Sequence, residues 1–159
     1  MQVNVAFTPE EVLEAPVAVV VDVMRATSTI AQALASGYER VFCCREVLLG
    51  SLLNLSAVAR AVREDCVIVC AGFQGRFALD DAYCAGRIVQ LLDGEVTDTA
   101  KASAVLAGAY PTAWDGLMAR TYGPPGLDED IRFCAQEDTI DVVPRLARMV
   151  DPAAEIVAG

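Results

Sequence analysis

The chain has 159 residues, 22 acidic and 12 basic side chains, a net charge of −10 and 55% hydrophobic content. That length suits one domain with one core, so residues 1–159 read as a single α/β domain. The scattered basic residues exclude an electrostatic footprint for nucleic acid or anionic lipid, and no uncharged run is long enough for a membrane helix.

The opening MQVNVAFTPEE has neither a basic n-region nor an apolar h-region, so no signal peptide is expected. Pro16 to Val21 is a continuous β-branched run and reads as a buried strand ending at Asp22. Thr27 or Ser28 caps a following helix, with Ile30 and Leu34 on one face and Gly37 as its stop. Arg40 to Cys44 reads as a second strand, and Val47 to Leu49 as a third that ends at Gly50. Leu55, Val58, Ala59 and Val62 fall at helical spacing, with Ser51 or Asn54 near the start.

Val67 to Cys70 is a short buried strand running into the glycine turn AGFQG. Asp80 or Asp81 opens a helix whose face is Cys84, Ala85, Ile88, Leu91 and Leu92. Helices are expected from Thr97 to Ala109 and from Thr112 to Arg120, the second with Trp114, Leu117 and Met118 on one side. TYGPPG is a turn, because two prolines and two glycines cannot continue a helix. Ile131 to Cys134 reads as a late strand, and Leu146, Met149 and Val150 as a last short helix, begun near Asp141 with Pro144 in its first turn. Strands and helices alternate, which predicts a mostly parallel sheet flanked by helices in a three-layer α/β/α arrangement.

In such sheets ligands bind beyond the carboxyl ends of the strands, so the residues just after them matter most. VVVDVMRATST places Asp22, Arg25, Thr27 and Ser28 around one strand-to-helix turn. Asp22 suits a divalent cation, Arg25 a phosphate or sulfonate, and the helix start adds backbone donors. The same residues also serve as caps and solvated side chains. CAGFQGRFALDDAYCAG brings Gly72 and Gly75, which allow close backbone approach, ahead of Asp80 and Asp81, which suit a metal or a positioned water as well as a helix dipole. RFCAQEDTIDVVP places Gln136 and Asp138 in polar chain after the expected late strand, facing the same crevice or forming an ordinary loop.

Exclusions narrow the chemistry. The chain has no histidine, which removes a Ser-His-Asp triad, a Cys-His pair and the usual Cys/His zinc sites. No GxxxxGK[ST] or GxGxxG occurs. The six cysteines sit in or beside apolar runs without CxxC spacing, which points to buried thiols in a reducing cytoplasm. An acidic protein acting on an anion needs a local cation, so metal- and arginine-assisted chemistry on a phosphate ester or similar anion remains.

VVVDVMRATSTIAQAL is similar to the opening motif of the 2-phosphosulfolactate phosphatase (ComB-like) family, and GSLLNLSAVARAV, CAGFQGRFALDDAYCAG and RFCAQEDTIDVVP resemble its later blocks in the same order. The resemblance implies a Mg²⁺-dependent hydrolase that removes phosphate from 2-phospho-3-sulfolactate, giving 3-sulfolactate on the route to coenzyme M. Carried over by matching position, Asp22, Arg25 and Asp81 would be catalytic. Substrate would meet Arg25, Thr27, Ser28, Asn54, Gly72, Gly75 and Gln136. The metal set would be drawn from Asp22, Asp80, Asp81 and Asp138, with Asp22 and one of Asp80 or Asp81 meeting the ion.

The chain departs from the family in its middle: Arg45 to Leu49 join two flanking pieces directly, without the family's glycine-rich blocks, one like GERGG, one like GF.LGNSP and one like TTTNGT. Two functions follow as alternatives, a hydrolase of this type or an anion-binding or interaction domain. A haloacid-dehalogenase-type phosphatase would want an acid two residues after Asp22, where Met24 stands. A shortened parallel sheet exposes apolar edges, so association into a homo-oligomer is expected.

Overall fold

The computed structural model describes residues 1–11, 14–23, 46–150 and 153–158. The helix expected from Thr27 to Gly37 and the strand from Arg40 to Cys44 lie outside the described residues.

Chain order begins with strands β1 (Gln2–Ala6), β2 (Val17–Val21) and β3 (Glu46–Gly50), then a 3₁₀ turn over Leu52–Asn54 that runs into α1 (Leu55–Ala61). β4 (Cys66–Cys70), α2 (Leu79–Val89), β5 (Glu95–Val96), α3 (Asp98–Gly108), α4 (Ala113–Met118) and α5 (Asp128–Cys134) follow, and β6 (Pro144–Val150) and β7 (Ala153–Ala158) close the order. The sheet order is β5-β1-β4-β2-β3-β6-β7. The first five strands in that order run parallel, while β3 with β6 and β6 with β7 are antiparallel.

β2 and β4 occupy the middle, and their apolar runs VAVVV and CVIVC are what a strand covered on both faces requires. Val19, Val21, Ile68 and Cys70 enter the larger core, joined by Leu55 and Val58 of α1, Tyr83 and Ile88 of α2, Ala100 of α3, Leu117 of α4 and Ile131 of α5. All five described helices thus pack on one face of the sheet. Ala6, Ala18, Val47 and Val67 form a smaller buried cluster on the opposite face, with Val20, Val69 and Leu146 packed beside them.

Register fixes where the strands end. Val21 stands opposite Cys70 and Gly50, and Ala6 opposite Val69, so the residues following β1, β2, β3 and β4 emerge along one rim. Helix starts behave as their caps dictate: the Thr97 hydroxyl accepts the Ala100 N–H, and the Thr112 hydroxyl accepts the Asp115 N–H. Close approach of α2 and α3 depends on Gly86, where an added Cβ would stand 2.0 Å from the Ser103 carbonyl oxygen.

Three expectations are corrected. Residues Ile131–Cys134 lie in helix α5 and not in a strand. Asp128, Glu129 and Asp130 fill its first turn, where acids complement the helix dipole, and Ile131 is its single buried residue. The last segment forms β6 and β7 and not a helix. Its register shifts between Leu146 and Arg148, and this bulge breaks the period-two pattern that would have marked a strand. Pro144 sits at the first position of β6, a place where a missing N–H is tolerated. Leu91 is 46% exposed, because α2 stops at Val89 before its apolar face reaches that residue. β1 and β5 complete the sheet without having been anticipated.

Candidate active site

The rim at the carboxyl ends of β2 and β4 is closed by the first turn of α2. Asp81 enters there almost fully buried, and its Oδ1 accepts the Val23 N–H at 3.0 Å while its Oδ2 accepts the Gly72 N–H at 2.9 Å. One side chain therefore ties the chain leaving β2, the chain leaving β4 and the start of α2. Burial pushes the Asp81 carboxyl well above the usual range, the charges of Asp80 and Asp22 add to the effect, and the two N–H groups oppose it.

Asp80 is equally buried, and its Oδ1 accepts the Asp81 N–H at 3.0 Å and the Tyr122 hydroxyl. Tyr122 stacks on Phe73 with ring centroids 4.6 Å apart. Burial and the bond to Asp80 hold the Tyr122 hydroxyl protonated far above the ordinary phenol range. Asp22, Gly72, Asp80, Asp81, Arg120 and Tyr122 line one cavity of about 330 Å³. Gly72 has φ +71°, and a Cβ there would meet the Arg76 carbonyl oxygen at 2.5 Å, so the turn admits only glycine without strain.

Of the residues singled out in the sequence, this cavity gathers Asp22, Gly72, Asp80 and Asp81. Arg25, Thr27 and Ser28 lie outside the described residues. Asn54 is buried elsewhere: its Nδ2 donates to the carbonyls of Leu49 and Val142, and its Oδ1 accepts the Ser51 N–H, which joins β3, the 3₁₀ turn and the approach to β6. Gly75 is an exposed turn residue with φ +71°. Gln136 is exposed at the end of α5, where its backbone N–H donates to the Phe133 carbonyl.

The four-carboxylate metal set is not assembled. Asp138 caps α1, accepting the Ser56 N–H and hydroxyl, each at 2.6 Å. Both Asp81 oxygens are committed to backbone N–H groups. Among the described residues, no group of three or more Cys, Asp or Glu side chains is arranged to hold a metal ion. What the cavity offers is the pair Asp22 and Asp80, and that donor set fits Mg²⁺, which takes one or two carboxylates and completes its shell with water and phosphate oxygens.

Arg120 and Tyr122 were not anticipated. Their segment announces itself only as a turn, and nothing in the order of residues shows that the turn folds back over Asp80. A second cavity, about 440 Å³, lies by Trp114 and the end of α5. Its cations are already engaged, Arg87 with Glu137 and with the Tyr83 hydroxyl, and Arg132 over the Trp114 ring at 5.5 Å.

The fold and cavity define an α/β protein with buried carboxylates at the ends of parallel strands and the guanidinium of Arg120 in the same cavity. The family model described as 2-phosphosulpholactate phosphatase matches residues 4–47 and 43–148, and the chain belongs to that family. A protein of Caldanaerobacter subterraneus subsp. tengcongensis named "Probable 2-phosphosulfolactate phosphatase" is 41% identical over 120 residues, covering 68% of this chain and 50% of that protein. The protein of the same name from Gloeobacter violaceus is 31% identical over 224 residues, covering 91% of this chain and 95% of its own. The 2-phosphosulfolactate phosphatase of Methanothermobacter thermautotrophicus is 37% identical over 107 residues, covering 62% and 47%.

The chain therefore spans about half the length of several curated relatives it matches. The Gloeobacter alignment runs over 224 positions against 159 residues here, so that relative carries chain that this one lacks. The two matched stretches of the family model meet at residues 43–47, beside the direct junction read at Arg45 to Leu49.

Proposed function

We propose that this chain is a phosphoric monoester hydrolase that removes phosphate from 2-phospho-3-sulfolactate, giving 3-sulfolactate, with Mg²⁺ as its cofactor. One observation carries the proposal: Asp22, Asp80 and Asp81 converge on a single cavity at the ends of parallel strands. Carboxylates gathered away from water repel one another, and a bound cation relieves that repulsion. Membership of the family supplies the reaction class.

In this reading Asp22 and Asp80 hold the cation, and the Tyr122 hydroxyl orients Asp80 through its hydrogen bond. Asp81 is a positioning residue, since its oxygens fix the Val23 and Gly72 N–H groups in place. The Mg²⁺ ion would neutralise phosphoryl oxygens and lower the barrier to attack by water. Phe73, Ala78 and Leu127 supply apolar wall beside these charges, which lowers the local dielectric and strengthens each charge interaction there. The buried free thiols Cys66, Cys70 and Cys84 support a reducing cytoplasmic setting, and 3-sulfolactate places the reaction on the way to coenzyme M.

Phosphate release from 2-phospho-3-sulfolactate tests the proposal, measured with and without Mg²⁺ and in Asp22→Ala. A drop of about a hundredfold or more is expected from either change, the scale of losing a principal charge-stabilising group. Release indifferent to both would remove this site from consideration.

A further inference from the structure

We infer that Arg120 reads a second, non-reacting anionic group of the substrate, a carboxylate or sulfonate, and so selects small phosphate esters that carry one. This rests on the phosphatase reading of the same cavity, but it assigns a specificity-determining residue which that reading leaves open.

Three carboxylates line the cavity with Arg120. Among the described residues its guanidinium forms no ion pair or hydrogen bond, although the chain carries 22 acids against 12 basic residues. A half-buried arginine beside several carboxylates and paired with none of those described retains its donors for a ligand. The guanidinium is held in place by its own loop: Gly123 has φ +93°, and a Cβ there would stand 3.0 Å from Nη1. The chain thus turns back over the arginine, with Pro124 stiffening the same wall. Tyr122 links the two charges, bonded to Asp80 and close enough to Arg120 to feel its field.

The cavity is therefore polarised. Its acidic side accepts a cation and with it a phosphoryl group, while its guanidinium side accepts an anion directly. A planar guanidinium binds a carboxylate or sulfonate through two parallel N–H donors, geometry that an ammonium cannot reproduce. A volume near 330 Å³ suits a compact ester better than a nucleotide or a protein segment.

The test compares three esters on one carbon skeleton: 2-phospho-3-sulfolactate, 2-phospholactate without the sulfonate, and isopropyl phosphate without either acid. In Arg120→Met the preference for the first ester over isopropyl phosphate, as a ratio of kcat/KM, should fall about tenfold to a hundredfold, chiefly through KM, the range of one charge-assisted contact. Arg120→Lys should restore part of the ratio. The middle ester shows which acid is read. Equal losses on all three esters would overturn the inference, because Arg120 would then act on the phosphoryl group or on the fold.

Calorimetric titration with 3-sulfolactate gives a readout independent of turnover. The unsubstituted chain should bind it and Arg120→Met at least about tenfold more weakly. No binding by the unsubstituted chain, or equal binding by both, would also overturn the inference. No hydrolysis of any of the three esters by the unsubstituted chain, with Mg²⁺ present, would instead defeat the phosphatase reading and leave the calorimetric result standing.

Discussion

At Asp81 two oxygens of a single carboxylate take N–H groups from chain leaving two different strands. Removing that side chain leaves the buried Val23 N–H and the half-buried Gly72 N–H without this partner, and an unsatisfied buried group costs about 1–3 kcal/mol. Asp81→Ala is therefore expected to lower unfolding stability by about 3 kcal/mol, read from a shift in the urea midpoint at unchanged slope. Cys66 gives a pH dependence with a definite sign. Burial, with the charge of Asp65 adding to it, raises its thiol from 9.0 to about 11. Below pH 9 the thiol is neutral folded or unfolded; above it the unfolded chain ionises first, so stability falls between pH 9 and about 11. Cys66→Ala should flatten that part of the stability profile, an effect of up to about 3 kcal/mol. A profile unchanged by the substitution would show that this thiol does not carry the alkaline loss.

Among the elements, the α2–α3 contact is the most demanding. Gly86→Ala would press a methyl group to 2.0 Å from the Ser103 carbonyl, backbone that cannot move aside without separating the helices. A loss of about 3 kcal/mol is expected, seen as a lowered thermal midpoint. Elements governed by local chemistry were legible in the sequence. β2 and β4 are unbroken β-branched or apolar runs, and α3 announces itself through Thr97 as its cap. Elements governed by distant partners were not. β6 hides its alternation behind a bulge, and α5 buries only Ile131, too few contacts for periodicity to register. The candidate site divides in the same way. Asp22 follows a strand and Asp80 and Asp81 open a helix, positions that local rules mark out, whereas Arg120 and Tyr122 arrive through the fold of a loop. Asn54 and Asp138 are polar residues whose partners, Val142 and Ser56, are remote in sequence, so their structural roles could not be read in advance.

For the molecule as a whole, the distinctive fact is a family member whose two matched stretches meet at residues 43–47. The sheet nevertheless continues through β3 into an antiparallel β6–β7 pair, so the strand beside β2 is not left at an edge. Large apolar side chains remain at the surface, Phe133 56% and Phe77 47% exposed among them. We propose that they mediate self-association, and sedimentation should show a dimer or larger species at micromolar concentration. A stable monomer at high concentration would reject this. The tie made by Asp81 sets a limit on how the cavity can behave. Its strand side is tied to the midline of the sheet. Among the described residues the loop of Arg120 and Tyr122 forms the opposite jaw, braced by Gly123 and Pro124, so a ligand's girth is gauged between a tied strand side and a stiff turn.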